Sequence, residues 1–331
     1  MSEIRVLSEG GVEELLDLDA LLDVVEEAFV EQHCGNTERP DRPHFPVGTG
    51  LAADAPGGPL GTGLVMPAYI HGASYYATKL VGVFDGNADR GLPTVNAQVA
   101  LTDAEAGLPA GYLAGTRLTN ARTGCIGGLA ARELATDRKA VRLGVIGAGT
   151  QARWQTRAIA AATDLEAVWV YSPSDSRYRC AEDLDSELDV PVEAAGSPRE
   201  AIEGATVVVT ATTATGPVVP GEALAPGTTV IAIGAYTDEM RELDGETVER
   251  AARVLADVPE EAIETGDLRE SGLDASDLTS LGAVLDGARG REGSEEIVVI
   301  ESVGTAVLDA AVGEHLYDLA KREGVGTTVS L

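Results

Sequence analysis

Hydrophobic and polar positions in the first third of the chain follow two different periods. An apolar run at residues 4–7 predicts a short strand, and apolar residues at helical spacing between Leu15 and His33 predict an amphipathic helix against a core. The stretch 36–67 is rich in proline and glycine, which predicts loops with short extended pieces. Three strand-like runs follow, at 74–83, 94–102 and 111–113. Together these elements predict a mixed sheet.

From residue 141 onward the pattern changes to an alternation of strands and helices. Strands are predicted at 141–146, 167–171, 190–194, 206–210, 229–233, 254–257 and 297–301. Helices are predicted from Thr150, near residues 175–188 and over a short stretch before residue 206. Alternation with short connections indicates parallel strands joined by right-handed crossovers, which is the doubly wound α/β fold. A last helical pattern at 305–322 is expected to return to the first domain.

Length and composition bound the class of protein. The 331 residues suffice for two domains of ordinary size. No apolar run approaches the roughly 20 residues that span a bilayer, and the first residues lack the pattern of a secretory signal. A cytoplasmic protein without a membrane partner is therefore expected.

Cysteine and histidine give no sign of disulfide or metal chemistry. The three cysteines, Cys34, Cys125 and Cys180, lack CxxC spacing and are predicted to be buried thiols. His44 and His71 have no metal-ligand spacing with another His, Cys or acidic residue. No metal site is predicted.

The net charge of −30, from 54 acidic and 24 basic residues, is spread over the whole chain. Such a charge repels nucleic acid, so no nucleic-acid partner is expected. Only Lys79, Lys139 and Lys321 are lysines. The acid excess with few lysines suggests a halophilic protein, because in molar salt the Debye length falls to about 3 Å and surface repulsion is screened. An acidic protein of ordinary salt tolerance is the alternative.

A glycine-rich turn joins the first strand of the alternating region to its helix. Gly147, Gly149 and Ala152 form a Gly-x-Gly-x-x-Ala pattern between the strand and the helix. Gly147 permits the tight turn, Gly149 lets the backbone approach a pyrophosphate, and Ala152 keeps helix and strand close. The helix start at Thr150 adds amide donors and the positive end of the helix dipole. These features predict an NAD(P)-dependent oxidoreductase.

The residue at the end of the second strand of this region bears on the choice of cofactor. An acidic residue there, about 20 residues after the glycines, binds the ribose 2′-hydroxyl of NAD. This chain has Ser172 instead, followed by Ser174 and Arg177, which suit a 2′-phosphate. NADP(H) is therefore favoured over NAD(H), although the nearby Asp175 keeps NAD(H) open.

Several separated motifs resemble one known family. They are Lys79-Leu80-Val81, Gly91-Leu92-Pro93-Thr94, Leu101-Thr102-Asp103, Ala106-Gly107-Leu108-Pro109-Ala110, Leu118-Thr119-Asn120-Ala121-Arg122-Thr123 and Glu301-Ser302-Val303-Gly304-x-Ala306. With the glycine turn, they resemble the ornithine cyclodeaminase and μ-crystallin family in the right order and over nearly the whole chain.

The resemblance implies an α+β domain for substrate binding and dimerisation, at 1–125 with 305–331, and a Rossmann NAD(P)-binding domain at 126–304. It also implies a homodimer and a site in the cleft between the domains. By the family's pattern, Lys79 and Arg122 hold the substrate and carry catalysis, while Arg42 clamps the substrate carboxylate, with Arg39 as an alternative clamp. Family positions that contact the nucleotide are matched by Thr94, Arg122, Gln151, Thr212 and Ser302, and Val303 would touch the substrate.

These side chains suit a small imino or amino acid. Arginine offers a carboxylate a planar bidentate fork. A C=N bond that accepts hydride needs a proton donor, and Lys79 suits this task because two guanidinium groups loosen its proton by like-charge repulsion.

One position departs from the family pattern. Members similar to ornithine cyclodeaminase or archaeal alanine dehydrogenase carry an aspartate just after strand 229–233, where this chain has Tyr236, with Asp238 two residues later. The departure favours reduction of a cyclic ketimine of the Δ1-pyrroline-2-carboxylate type. Alanine dehydrogenase, ornithine cyclodeaminase with Asp238 as a substitute, and a non-catalytic NADPH- or ligand-binding protein stay open as alternatives.

Overall fold

A computed structural model describes residues 3–51 and 57–330. The strands are β1 (Glu3–Leu7), β2 (Thr37–Glu38), β3 (His44–Val47), β4 (Gly61–Ile70), β5 (Tyr75–Val83), β6 (Val95–Asp103), β7 (Pro109–Ala114), β8 (Val141–Ile146), β9 (Leu165–Tyr171), β10 (Val192–Ala194), β11 (Val207–Thr210), β12 (Thr215–Val219), β13 (Thr229–Ala232), β14 (Arg241–Leu243), β15 (Ala251–Ala256), β16 (Thr279–Ser280), β17 (Ile297–Glu301) and β18 (Thr327–Ser330). The α-helices are α1 (Glu9–Leu15), α2 (Leu18–His33), α3 (Gly115–Leu134), α4 (Thr150–Ala162), α5 (Ser176–Glu187), α6 (Pro198–Ile202), α7 (Gly245–Arg250), α8 (Pro259–Ala262), α9 (Leu281–Leu285) and α10 (Ala306–Glu323). Short 3-10 helices occupy Asp85–Arg90, Gly221–Ala223 and Ala275–Asp277.

The chain divides into two compact units. The first falls in the segments Met1–Asp17, Cys34–Arg122 and Ala306–Leu331, and the second in Leu18–His33 and Thr123–Thr305. Helix α2 thus groups with the second unit. The domain boundaries predicted near residues 125 and 305 stay a prediction.

The first unit is built on one eight-stranded sheet. Its strand order is β18-β1-β7-β6-β5-β4-β2, with β3 also paired to β4, and the pairs are antiparallel except for the parallel β1 and β7. Helix α10 packs on one face of the sheet, across β4, β5 and β6. Because side chains alternate along a strand, Ala77 and Lys79 of β5 are buried while Tyr76 and Leu80 are exposed.

The second unit contains an eight-stranded sheet of parallel strands. Its order is β10-β9-β8-β11-β13-β17-β15-β16. The central strands β11, β13 and β17 are buried along their whole length, as expected of strands covered on both faces. This arrangement confirms the predicted doubly wound α/β fold, accompanied by a second domain.

Several elements differ from the sequence prediction. The helix predicted over residues 15–33 is α2, which begins three residues later, at Leu18. Helix α1, at Glu9–Leu15, was not predicted, and Leu16, extended at φ −82° and ψ 118°, separates it from α2. Helix α3, of 20 residues, was not predicted at all. The Pro- and Gly-rich stretch contains β4, a strand of ten residues.

Strand β4 accommodates a proline because of its neighbours. On one side it pairs continuously with β5, while on the other it pairs with β3 at residues 61–64 and with β2 at residues 69–70. Pro67 lies between these two segments, where none of the described strands pairs with β4 on that side. The sheet therefore requires no N–H donor at this position, and proline, which has none, is accommodated.

The cysteines follow the prediction in two cases of three. Cys125 and Cys180 are buried, but Cys34 is exposed, because it lies in the turn just past the end of α2. Within the described part of the chain, no helix has both the length and the apolar character needed to cross a membrane.

Candidate active site

The ammonium group of Lys79 is buried in the first unit. Strand β5 alternates its side chains, which places Lys79 on the face covered by α10 with only 2% of its surface exposed. Its Nζ donates a hydrogen bond to Oδ2 of Asp309 at 2.5 Å. Asp309 lies in the first turn of α10 and is 1% exposed.

Arg122, on α3, completes the group. Its Nε donates to Oδ1 of Asp309 at 3.1 Å, and Thr119, one turn earlier on the same helix, places its Oγ1 at 3.5 Å from the same oxygen. Arg122 is buried as well. We call Lys79, Arg122 and Asp309 the ion cluster.

The ion cluster carries a net charge of +1 when all three groups are ionised. Burial lowers the pKa of Lys79 from 10.5 to about 8; Asp309 opposes this shift, and the guanidinium groups of Arg122 and Arg42 add to it. Burial by itself would raise the pKa of Asp309, but Arg122 and Lys79 outweigh it, so the pKa of this carboxyl lies below its ordinary value. One carboxylate therefore balances two cations.

Arg42 lies in the loop between β2 and β3 and is half-buried, as is Arg39. The charge of Arg42 contributes to lowering the pKa of Lys79, so the charge of this candidate carboxylate clamp reaches the ion cluster.

Asp309 was missed by sequence reasoning. It lies in the run Ala306–Val312, whose remaining residues are all apolar, at the start of a helix whose inner face is buried. A single carboxylate in such a run needs a buried partner, since an isolated buried charge is unstable. That signal was present in the sequence, although its partners were not identifiable from it.

The glycine turn in the second unit has the geometry that a dinucleotide requires. Gly147 adopts φ +123°, and a Cβ there would lie 2.4 Å from the carbonyl oxygen of Ala211, so glycine is obligatory. At Gly149 a Cβ would meet no atom within 4 Å among the described residues, which leaves open space beside the backbone. Ala152 is fully buried between α4 and the sheet.

The start of α4 can hold an anion. Gly149 is the N-cap and provides no side chain, and the first turn of the helix contains no acidic residue. Thr150 is exposed at the first helical position, and Gln151 follows it, half-buried. The amide donors of the first turn, the helix dipole and the open space at Gly149 fit the pyrophosphate of a dinucleotide.

A turn of three serines follows β9. Ser172 Oγ lies 3.4 Å from Ser174 Oγ and 3.3 Å from Ser176 Oγ, and Ser174 and Ser176 are 2.7 Å apart. The Arg177 Nη1 donates to the backbone oxygens of Ser172 and Ser174 at 2.9 and 3.2 Å, and its guanidinium stacks on Tyr178. We call Ser172, Ser174, Ser176 and Arg177 the serine turn, of which Ser176 was missed by sequence reasoning.

Thr212 is held at the carboxyl end of β11 by a buried carboxylate. Glu242 accepts the Thr212 N–H at 2.7 Å, the Gly234 N–H at 2.7 Å and the Thr210 hydroxyl at 2.8 Å. Burial raises the pKa of Glu242 despite these hydrogen bonds. Glu242 therefore fixes the ends of two neighbouring parallel strands, the edge at which open α/β sheets bind ligands.

A second buried carboxylate orders the turn after β17. Asp257 accepts the Ser302 hydroxyl at 2.7 Å and the N–H groups of Val303 at 3.0 Å and Gly304 at 2.7 Å. The adjacent Glu301 is fully buried, and burial together with three neighbouring carboxyl groups raises its pKa well above the ordinary value. Neither Glu242 nor Asp257 was identified from the sequence.

Thr94, Tyr236 and Asp238 are the remaining residues named in the sequence analysis. Thr94 belongs to the first unit and precedes β6, and its carbonyl accepts the Phe84 N–H at 2.8 Å. Tyr236 is 40% exposed in the second unit. Asp238, the proposed substitute for the missing aspartate, is exposed and pairs with Arg269 at 3.0 Å, so a surface ion pair already engages it.

The histidines set aside in the sequence are at the surface. His44 is exposed on β3, and His71 contacts Glu38 at 3.0 Å in an exposed pair. Across residues 3–51 and 57–330, no group of three or more His, Cys, Asp or Glu side chains is arranged to hold a metal ion.

Comparison with known proteins identifies relatives that match nearly the whole chain. The model of the ornithine cyclodeaminase/mu-crystallin family matches residues 3–324. A Delta(1)-pyrroline-2-carboxylate reductase from Bacillus cereus is 36% identical over 274 residues, which cover 80% of this chain and 84% of the relative.

Two solved structures share the fold. The Delta(1)-pyrroline-2-carboxylate reductase of Thermococcus litoralis, in complex with NADH and L-proline, is 32% identical, with a TM-score of 0.91 over 98% of this chain and 100% of that one. An archaeal alanine dehydrogenase dimer with bound NAD is 31% identical, with a TM-score of 0.89 over 100% of both chains. On this evidence of sequence and fold, the chain belongs to the ornithine cyclodeaminase/mu-crystallin family.

Proposed function

We propose that this protein reduces the C=N bond of a cyclic imino acid of the Δ1-pyrroline-2-carboxylate type with a reduced nicotinamide cofactor. The observation that carries the proposal is the ion cluster, which joins a buried ammonium with a lowered pKa to a guanidinium in one site. The relatives from Bacillus cereus and Thermococcus litoralis support it, and the second of them holds L-proline, the product of such a reduction.

The residues of the chain divide the work of this reaction. A bound cofactor supplies the hydride that the imine carbon accepts. Lys79, or a water molecule that it orients, gives a proton to the imine nitrogen, and a donor whose pKa is about 8 is well matched to this task near neutral pH. Arg122 and Arg42 bind the substrate carboxylate through their guanidinium forks.

For the cofactor, we propose a preference for NADP(H) over NAD(H). Support comes from the serine turn, where three hydroxyls and one guanidinium surround the end of β9 and residues 171–174 include no acidic side chain. Hydroxyls and arginine bind a 2′-phosphate, whereas NAD-specific sites use a carboxylate there.

The cofactor preference is tested by replacing Ser172. The variant Ser172→Asp puts a carboxylate at this position, so we expect its KM for NADPH to rise at least about tenfold while its KM for NADH falls or stays level. Ser186→Asp is the matched control, since Ser186 is an exposed serine at the other end of α5. A wild-type protein that prefers NADH would overturn the preference.

Alanine dehydrogenase activity is the second candidate function. The archaeal alanine dehydrogenase aligns with the full length of this chain. The same ion cluster suits protonation of the imine that pyruvate forms with ammonia. Ornithine cyclodeamination is disfavoured, because Tyr236 stands where the amine partner is expected and Asp238 is engaged by Arg269.

We also propose that the protein is a homodimer, in which a second copy of the chain covers the sheet face opposite α10. Apolar and aromatic side chains are exposed on this face, among them Tyr76, Leu80 and Tyr112. Cross-strand register places Val65 and Gln98 beside Leu80, and Ala100 beside Tyr112, so two of these three neighbouring positions are apolar. A second copy is the occupant that a relative suggests, since the archaeal alanine dehydrogenase is a dimer.

The deciding assay follows oxidation of NADPH and NADH in high salt with four substrates in parallel. These are Δ1-pyrroline-2-carboxylate, Δ1-piperideine-2-carboxylate, pyruvate with ammonia, and ornithine, whose cyclodeamination changes no net cofactor and is followed by the ammonia released instead. We expect the cyclic imino acids to give the highest kcat/KM. Turnover of pyruvate with ammonia above that of both cyclic imines would favour alanine dehydrogenase.

The same assay tests the role of the ammonium. Lys79→Ala is expected to lower kcat about 100-fold or more, the usual contribution of a positioned general acid. Lys139→Ala is the matched control, an exposed lysine of the second unit whose loss should leave kcat unchanged. Wild-type protein without turnover on any substrate, or a Lys79→Ala variant of undiminished kcat, would defeat the proposal.

A further inference from the structure

Asp309 contacts both cations of the ion cluster. It reaches Lys79 through Oδ2 and Arg122 through Oδ1, so each oxygen serves a different partner. The partners are 230 and 187 positions away in the chain. Asp309 on α10 therefore links Lys79 on β5 to Arg122 on α3 and fixes the positions of these two side chains relative to each other.

The surroundings of Asp309 leave these cations as its charged neighbours. Strands β4 and β6, which pack against α10 beside β5, present buried apolar residues, namely Met66, Ala68, Val99 and Leu101. The charged groups that face the cluster are Lys79 from β5, Arg122 from α3 and Arg42 from the loop before β3, and the neutral Thr119 hydroxyl adds a weak contact at 3.5 Å.

We propose that Asp309 is a positioning residue for imine reduction, which keeps Lys79 in its ammonium form and fixes the guanidinium of Arg122 by its Nε. This inference rests on the proposed function for its consequence in catalysis, whereas its effect on Lys79 is independent of any substrate. Two guanidinium groups and burial all favour the neutral amine of Lys79, and Asp309 is the group that opposes them.

The arrangement also leaves the site a positive charge for a substrate carboxylate. With Asp309 ionised, the ion cluster has a net charge of +1, and Arg42 adds one more positive charge. Because Asp309 accepts the hydrogen bond from the Nε of Arg122, the Nη groups of this guanidinium are the donors that bind a substrate carboxylate. The imine nitrogen then meets an ammonium held at a defined place by a hydrogen bond of 2.5 Å.

The first test titrates Lys79 directly and requires no substrate. The chain has three lysines, so protein labelled with ¹³C at lysine Cε gives three signals, which the variants Lys139→Arg and Lys321→Arg assign. In Asp309→Asn we expect the Lys79 midpoint to fall by about one pH unit or more, because an attractive charge is removed. An unchanged midpoint would overturn the proposal.

The second test measures catalysis with the same variants. Asp309→Asn should lower kcat for imine reduction at least about tenfold and move the alkaline limb of the kcat/KM profile to lower pH, while KM for the imino acid changes less. Asp309→Glu keeps the charge and should restore the Lys79 midpoint but not the full kcat. A kcat loss with an unmoved alkaline limb would show a merely structural role and would also count against the proposal.

Controls separate folding from function. Asp318→Asn is the matched control, since Asp318 is an exposed aspartate of α10 that pairs with Lys321 at 2.7 Å, and its loss should leave both readouts at Lys79 unchanged. If Asp309→Asn does not fold, the smaller Asp309→Ser leaves room for water and replaces it in both tests. If the wild-type protein reduces no imine, the proposed function fails, and the titration of Lys79 still decides the role of Asp309.

Discussion

The ammonium group of Lys79 lies among two arginines and one aspartate, and this setting determines the pH range in which it can release a proton. Burial is the largest cause of its lowered pKa of about 8. A lysine at the surface, with an ordinary pKa of about 10.4, would stay protonated at neutral pH and for about two pH units above it. The buried position on β5 therefore converts an ordinary lysine into a proton donor that works near neutral pH.

The pH dependence of catalysis follows from this pKa. In the direction of reduction the ammonium form is needed, so kcat/KM should be level below pH 8 and fall about tenfold per unit above it. In the direction of amino acid oxidation the neutral amine is needed, so kcat/KM should rise through the same pH. Both profiles are measured by cofactor absorbance at constant salt.

The variant Lys79→Arg provides the control for this prediction. Arginine keeps the positive charge but does not release its proton in this range, so the reduction rate should drop and the alkaline limb should disappear. A wild-type profile that stays level from about pH 6.5 to 9.5 would contradict the assignment of the limb to Lys79.

At the scale of elements, the two glycines between β8 and α4 perform different tasks. Gly147→Ala places a Cβ 2.4 Å from a backbone oxygen at a φ of +123°, and a strain of about 1–3 kcal/mol should lower the Tm by several degrees. Gly149→Ala adds a Cβ in open space, so its Tm should stay close to that of the wild type while its affinity for NAD(P)H falls.

These two effects are measured by thermal unfolding and by fluorescence titration of the reduced cofactor. Gly245→Ala is the matched control, a glycine at the start of α7 whose Cβ would also meet no described atom within 4 Å. It should change neither Tm nor cofactor affinity by much. Wild-type affinity in Gly149→Ala would argue against a pyrophosphate lying at this turn.

Elements with a strong local pattern were predicted well. Strands β8 and β17 have the predicted bounds, and α10 differs from its predicted range by one residue at each end. The prediction failed where local signals were weak or misleading. Helix α3 contains four glycines, and β4 contains glycines and a proline, so their structure depends on packing and pairing with distant segments.

At the scale of the whole molecule, the sheet face opposite α10 leads to a prediction about assembly. The wild-type protein should have twice the mass of its 34.1 kDa chain in light scattering, and Leu80→Asp should shift it toward the monomer because a charge would be desolvated in the interface. Tyr178→Ser, which removes an exposed aromatic ring of the second unit, is the control and should keep the dimer mass. A monomeric wild-type protein would refute the dimer.

The charge of the whole molecule leads to a prediction about salt. At a net charge of −30, mutual repulsion of surface carboxylates opposes the compact state, and salt screens it. Salt also weakens exposed ion pairs such as Arg157–Glu187, but each is worth at most about 1 kcal/mol and the acids outnumber the bases by more than two to one.

Repulsion therefore dominates, and the Tm should rise between low and molar potassium chloride. The measurement is thermal unfolding over a series of salt concentrations. Potassium glutamate in place of the chloride controls for effects of the anion. Equal Tm values in low and molar salt would remove the support for a halophilic protein.

The sequence by itself determined the doubly wound second unit, the glycine turn and the family membership. These rest on local patterns: an alternation of periods, a turn that only glycine can form, and short motifs in a fixed order. The same local information identified Lys79 and Arg122 as candidate site residues, through the motifs that surround them.

Only the tertiary structure decided which groups are neighbours. It brought Asp309 to Lys79 and Arg122 from positions 230 and 187 residues away, and it placed Glu242 and Asp257 under the strand ends that carry Thr212 and Ser302. No local period encodes such distances. The charge, burial and lowered pKa of Lys79 arise from those contacts, because a buried ion is defined by the partners that the fold supplies.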